Sequence, residues 1–174
     1  MRVRIVTYAP DALTRDLAKR IRARFSAEKS SITCQRYGGW LGPLHAWRDR
    51  SRGELPDIEL DAPVGIADGL IVIAPLVAGR LAAPMRSFLE RPNLIPPILC
   101  VVATRIGHCP ARDFDEDVAR LANGFGGPET LILSGSDLAA AGRDTPRSLA
   151  EFLDRLAPIV ETRVTPVVLP FRAA

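Results

Sequence analysis

Three short segments of this 174-residue chain carry residues suited to holding an anionic or planar ligand. The first runs Thr7, Tyr8, Ala9, Pro10, Asp11, Ala12, Leu13, Thr14, where a β-branched run gives way to a helical pattern. A helix opening there leaves backbone N–H groups free in its first turn, and its dipole favours an anion. Hydroxyls at Thr7 and Thr14 can add hydrogen bonds to a phosphate. Asp11 works against one unless its carboxylate points away. The second segment, Ala74, Pro75, Leu76, Val77, Ala78, Gly79, Arg80, has a glycine that lets backbone approach a flat ligand, followed by an arginine that can pair with a phosphate. The third brings Arg105, Gly107, His108 and Cys109 together, and the charge of His108 responds near neutral pH. Each also has a plainer reading: a solvent-facing Thr14, an ordinary strand-to-helix turn, an incidental loop histidine.

Other chemistries lack their residues. His45 and His108 are the only histidines, and no Ser/His/Asp set or paired-carboxylate site stands out. Glycine-rich dinucleotide and P-loop fingerprints are absent. Cys34, Cys100 and Cys109 have no ligand spacing, so no metal site is expected.

The elements that position these segments follow from periodicity. Residues 2–7 (RVRIVT) read as a strand, and Leu13, Leu17, Ile21 and Phe25 as the inner face of a helix. Residues 31–36 suit a second strand. Residues 37–63 read as a loop with one short helix over 44–50, where Trp40 and Trp47 are expected to close the core. Residues 68–74 (DGLIVIA) and 98–103 (ILCVVA) are apolar without alternation, as strands buried on both faces are. Helical stripes follow each: Leu81, Met85, Phe88, Leu89, then Phe114, Val118, Leu121, Phe125. Residues 130–133 form a fifth strand. Thr145-Pro146 opens a last helix with Leu149, Phe152, Leu153 and Leu156 inside. Strands alternating with helices imply right-handed crossovers and a parallel sheet. The expected layout is one α/β domain over 1–160 and an apolar extension over 161–174 that packs on the domain or a partner.

Hydrophobic residues are 47% and charged residues 25% of the chain, enough apolar side chain for one packed core. The net charge of +3 rests almost wholly on arginine. A solvated helix face accounts for Arg15, Lys19, Arg20, Arg22 and Arg24, so no nucleic-acid role is expected; the basic balance would still attract an anionic cofactor or partner. No apolar run reaches the ~20 residues needed to span a bilayer, and no signal-peptide layout is present. The expectation is a cytoplasmic protein with no membrane partner.

Residues 68–89, DGLIVIAPLVAGRLAAPMRSFL, resemble the third strand and following loop of the flavodoxin-like superfamily, through Pro75, Gly79, Pro84, Phe88 and Leu89. Weaker likeness extends over 2–25 and 98–156. The resemblance implies a three-layer sandwich: a five-stranded parallel sheet of order 2-1-3-4-5, helices on both faces, and FMN at the strand ends. It assigns cofactor binding to Thr7, Tyr8, Ala9, Asp11, Ala12, Leu13 and Thr14 around the phosphate. It assigns Ala74, Pro75, Leu76, Val77 and Gly79, with Arg105, Gly107 and His108, to the flanks of the ring. The family's phosphate loop resembles Ser/Thr-x-Thr-Gly-Asn/Thr-Thr; here only Thr14 clearly survives, with Ala12 at the usual glycine and Asp11 at a hydroxyl position. Val77 stands where a ring-stacking tyrosine is common. The implied function is an FMN-binding redox protein, transferring electrons to a redox partner protein or using NAD(P)H to reduce a small acceptor. The alternative is a binding or structural module that keeps the fold and has lost FMN, and that binds another small anion or pairs with itself as a homodimer through the apolar tail.

Overall fold

The computed structural model describes residues 2–65, 67–91, 98–105, 111, 113–121, 128–141 and 145–162. Its centre is β4 (Gly69–Val77), flanked in parallel by β1 (Val3–Thr7) and β6 (Ile98–Arg105). Ile5 pairs with Ile71, and Ile71 with Cys100. Beyond β1 lies β2 (Glu28–Thr33), and beyond β6 lies β7 (Glu129–Ser134), both parallel to their neighbours.

The unbroken apolar run of β4 is explained by what each face meets. Successive side chains of a strand point to opposite sides. Leu70, Val72, Ala74 and Leu76 enter one core with Met85, Phe88, Leu89, Phe114 and Val118. Ile71 and Ile73 enter the other with Leu17, Ile21, Leu149, Phe152 and Leu156. Thus α3 (Ala83–Leu89) and α4 (Phe114–Leu121) cover one face, and α1 (Ala12–Phe25) and α6 (Arg147–Thr162) cover the other. The three-layer expectation holds.

The sheet itself differs from the five parallel strands expected. It is mixed and seven-stranded, because two antiparallel pieces join the parallel set. β3 (Glu59–Leu60) lies on the edge against β2, and β5 (Arg80–Leu81) folds back on β4. Each is two residues long, too short to leave a periodic trace in the sequence. The five parallel strands, counted along the chain, lie in the order second, first, third, fourth, fifth.

Local differences have equally local causes. β2 begins at Glu28 and stops at Thr33, and Gln35–Tyr37 form a 3-10 turn where the strand was expected to continue. Its Glu-Lys-Ser-Ser start is polar because this strand is near the edge. The short helix expected over 44–50 is present and longer: α2 (Gly42–Arg52) has eleven residues. Trp40 and Trp47 do not close the core: they are 88% and 64% exposed. A short α5 (Gly135–Ala141) intervenes before α6. The apolar extension expected from residue 161 lies outside the described residues from 163 onward. Among the described residues, no helix is long and apolar enough to cross a membrane.

Candidate functional site

The chain leaves β1 for β2 on one side and later returns to β4 on the other, so the order of strands reverses between β1 and β4. Connections there diverge to opposite faces and leave a crevice at the carboxyl ends. A pocket of about 310 Å³ lies in it, within the range of small-molecule sites. Tyr8 and Pro10 come from the end of β1, Tyr37 from the turn after β2, and Pro75 and Val77 from the end of β4. Arg80, Leu81, Ala82, Pro84 and Arg86 close one side, and Ala46 of α2 the other. A second groove, about 360 Å³, shares Tyr8, Pro10 and Tyr37 and continues past Thr7, Ala9, Arg15, Lys29, Ser31, Thr33 and Cys34.

Strand geometry fixes these walls. The Tyr8 backbone N–H donates to the Ile73 carbonyl at 3.0 Å, carrying the β1–β4 ladder one residue further and setting Tyr8 at the rim. β4 does not enter a loop at Ala74. It runs to Val77, turns through Ala78 and Gly79, and returns as β5, with Val77 opposite Arg80. Ala78 and Gly79 have φ of 53° and 86°, the double left-handed turn that matches the twist of a two-residue hairpin. Gly79 is therefore required by the turn. Tyr37 is held from behind by Gly42, where any Cβ would overlap the Tyr37 carbonyl oxygen.

The charged wall rests on one carboxylate. Asp117 of α4 is buried and faces Arg80 at 2.5 Å, Arg86 at 3.4 Å and Arg120 at 3.4 Å. The hydrogen bond to Asp117 raises the Arg80 pKa, and burial lowers that of Arg86. Arg86 brings Nε to 3.4 Å from Asp117, an ion-pair distance without a hydrogen bond of good geometry. Burial is also the first cause that raises the Tyr8, Tyr37 and Cys34 pKa values; the Cys34 thiol adds to it at Tyr8, and Asp49 at Tyr37. Both tyrosines thus remain neutral at physiological pH. Tyr37 keeps its hydroxyl buried near Asp49 without a hydrogen bond of good geometry, while Asp49 pairs with Arg36 at 2.8 Å.

The residues expected from sequence are divided by this geometry. Tyr8, Pro75 and Val77 line the pocket, and Thr7 and Ala9 the groove. Among the described residues the buried Thr7 hydroxyl has no hydrogen-bond partner. Ala74 and Leu76 point into the core, the alternate face of the strand from Pro75. Leu13 packs on the other core, and Ala12 is exposed on the first turn of α1. The phosphate role expected of Thr14 does not fit. Thr14 is fully buried, and its hydroxyl is engaged by Asp11 Oδ2 at 2.8 Å and by Thr104 Oγ1 at 2.7 Å. Asp11 Oδ1 also accepts the Thr14 backbone N–H, so the chain caps its own helix where an anion was expected. Arg105 ends β6 half-buried; Gly107 and His108 lie outside the described residues.

Tyr37, Ala46 and Arg86 were missed. For the arginine wall a signal existed. Asp117 sits three residues after Phe114 and one before Val118, on the apolar stripe of its own helix. A lone carboxylate there must find a cation. Tyr37 gave no signal of its own, because nothing in residues 34–42 announces that the strand ends early. What results is a largely apolar pocket lined by neutral aromatic residues and guanidinium donors. Among the described residues no cluster of His, Cys, Asp and Glu could hold a metal ion.

No protein-family model matches the sequence, and no curated protein matches it either. Solved structures do. A flavoprotein in complex with FMN from Lactobacillus acidophilus NCFM superposes with a TM-score of 0.57 at 16% identity, covering 80% of this chain and 97% of that one. A protein described as a flavoprotein from Bacteroides eggerthii DSM 20697 gives 0.66 at 14% identity, covering 90% and 98%. Another, from Bacteroides uniformis ATCC 8492, gives 0.64 at 11% identity, covering 88% and 97%. Identities this low speak for architecture alone, and the architecture they share with this chain is the flavodoxin-like fold.

Proposed function

We propose that the pocket between β1 and β4 binds the ring system of FMN and that the chain is a redox protein. The observation that carries this reading is the pairing of Tyr8 and Tyr37 with Arg80 and Arg86 around one apolar crevice at the strand-order reversal. Its support from outside is the FMN complex among proteins of the same fold. Tyr8, Tyr37, Pro75 and Val77 would exclude water from the ring faces. Arg80 and Arg86 would donate hydrogen bonds to its polar edge and favour negative charge there. Bound flavin would supply electron or hydride transfer, while the protein sets orientation and electrostatics.

The terminal phosphate needs a different seat from the first turn of α1, which Asp11 fills. Arg15 and Lys29 line the adjoining groove and would supply the positive charge. In this reading NAD(P)H serves as reductant of a small acceptor, or a protein partner receives the electrons. The Asp11 cap favours a second reading, a module of the same fold that takes another flat ligand without a phosphate. Titration with FMN and with riboflavin separates the two. Saturable binding of FMN, tighter than riboflavin, supports the first; binding of neither flavin discards it. If FMN binds, anaerobic bleaching by NADH or NADPH marks a reductase, and no bleaching marks an electron carrier.

A further inference from the structure

The register of β1 against β2 gathers hydroxyls and a cation on one face of the sheet. Ile5 pairs with Lys29 and Thr7 with Ser31, and residues paired in this way point to the same side. Ile5 enters the core beneath α1, so Thr7, Lys29, Ser31 and Thr33 lie on the α1 side, toward the carboxyl ends of the two strands. All four line the groove beside the pocket, and Arg15 of α1 joins them there. Lys29 and Arg15 are exposed, and Arg15 donates to a neutral partner, the Pro10 carbonyl, at 3.4 Å. The carboxylates around them are already engaged. Asp11 caps α1, Asp16 holds Arg20, Asp61 accepts the Ser31 backbone N–H at 2.6 Å, and Glu28 pairs with Arg4 on the opposite face. Thr7 lies deepest: it is 1% exposed, and among the described residues its hydroxyl has no hydrogen-bond partner. A valine of the same shape would spare the fold that orphaned group.

We infer that this face of the groove holds a phosphate monoester. Lys29 and Arg15 meet its charge, and the Thr7 and Ser31 hydroxyls donate to its oxygens, which gives the buried Thr7 hydroxyl the partner it lacks. The donors come from three elements, with α1 lying over the face that β1 and β2 form. That suits the several acceptor oxygens of a tetrahedral phosphate; a planar carboxylate is met best by a forked pair of donors in one plane. The position lies on the face of the sheet and does not use the first turn of α1, where Asp11 already stands. The groove shares Tyr8, Pro10 and Tyr37 with the pocket, so a ligand whose ring fills the pocket carries its phosphate into the groove. Only the identity of the attached ring rests on the flavin reading.

Orthophosphate is the probe, titrated calorimetrically into the purified full-length protein with acetate as the control. Phosphate should bind saturably and more tightly than acetate, and Lys29→Gln and Thr7→Val should each weaken it about tenfold. Riboflavin affinity should be the same in both variants as in the parent chain. Thr7→Val carries a second readout. Its urea midpoint should equal or exceed that of the parent, whereas a threonine kept for the fold alone would lose stability on exchange. Lys29 is exposed, so Lys29→Gln tests the site even if the buried substitution disturbs the strand. No phosphate uptake, uptake indifferent to both substitutions, or acetate bound equally well overturns the inference. Phosphate bound with neither flavin taken up sinks the redox reading alone. FMN and riboflavin held equally tightly, with no phosphate bound, sinks the phosphate site alone.

Discussion

Asp11 holds Thr14 twice: Oδ1 accepts the Thr14 backbone N–H and Oδ2 accepts its hydroxyl, both at 2.8 Å. The helix end that ordinarily welcomes an anion is therefore already supplied with one from its own sequence. This pair explains why the phosphate loop looks degenerate while the helix is sound. The carboxylate gives α1 a good cap and costs the site an anion seat.

Exchanging Asp11 for serine keeps a capping oxygen and removes the charge. Stability should change by less than about 1 kcal/mol. Affinity for FMN should rise about fivefold, the scale of one charge at a helix terminus, and affinity for riboflavin should stay level. Fluorescence titration with the two flavins checks both halves.

Gly42 stands so close to Tyr37 that a methyl group must displace its carbonyl. Gly42→Ala should shift the 35–37 turn, destabilise the fold by about 1–3 kcal/mol, and weaken flavin binding by tenfold or more. Urea unfolding and the same titration measure these. Unchanged binding would remove Tyr37 from the pocket wall.

Asp117 is the counter-charge for the arginine wall. Replacing it by asparagine leaves Arg86, the most buried of the three guanidinium groups, without a paired charge. The expected loss is about 2–3 kcal/mol, below the full cost of breaking a buried pair because Arg80 and Arg120 reach solvent. The urea midpoint should fall with its slope unchanged.

Alkaline pH should destabilise the protein through its buried acids. Burial raises the Cys100 thiol from 9.0 to about 12, with Cys34, Tyr8 and Tyr37 raised as well. Below pH 9 folded and unfolded chains hold the Cys100 proton alike. Between pH 9 and 12 the unfolded chain releases it first, so stability falls by up to about 1.4 kcal/mol per pH unit for that group. Cys100→Val should make the fall shallower. An identical slope in the variant would show that Cys100 does not contribute.

The sequence made the sheet legible where a strand is buried on both faces. The runs at 69–74 and 98–103 are apolar because two helical layers cover them; β1 likewise sends Val6 into one core and Ile5 into the other, and α1 follows from residues whose period matches its one covered face. Reading failed where tertiary context inverted a local rule. Trp40 and Trp47 carry the composition of a core and lie outside it, while Asp49 and Asp117 carry the composition of a surface and lie within. Val77 was read as loop, yet it ends a strand, because a two-residue hairpin leaves only Gly79 as a mark. Thr14 survived as a motif letter with its hydroxyl already bound to Asp11 and Thr104.

Equilibrium titration of FMN fluorescence against purified protein tests most directly whether a flavin ring enters the Tyr8–Tyr37 crevice. We expect quenching that saturates at one FMN per chain and weakens at least tenfold in Arg86→Met. Free-flavin fluorescence persisting at every protein concentration, with no colour retained on desalting, would contradict it.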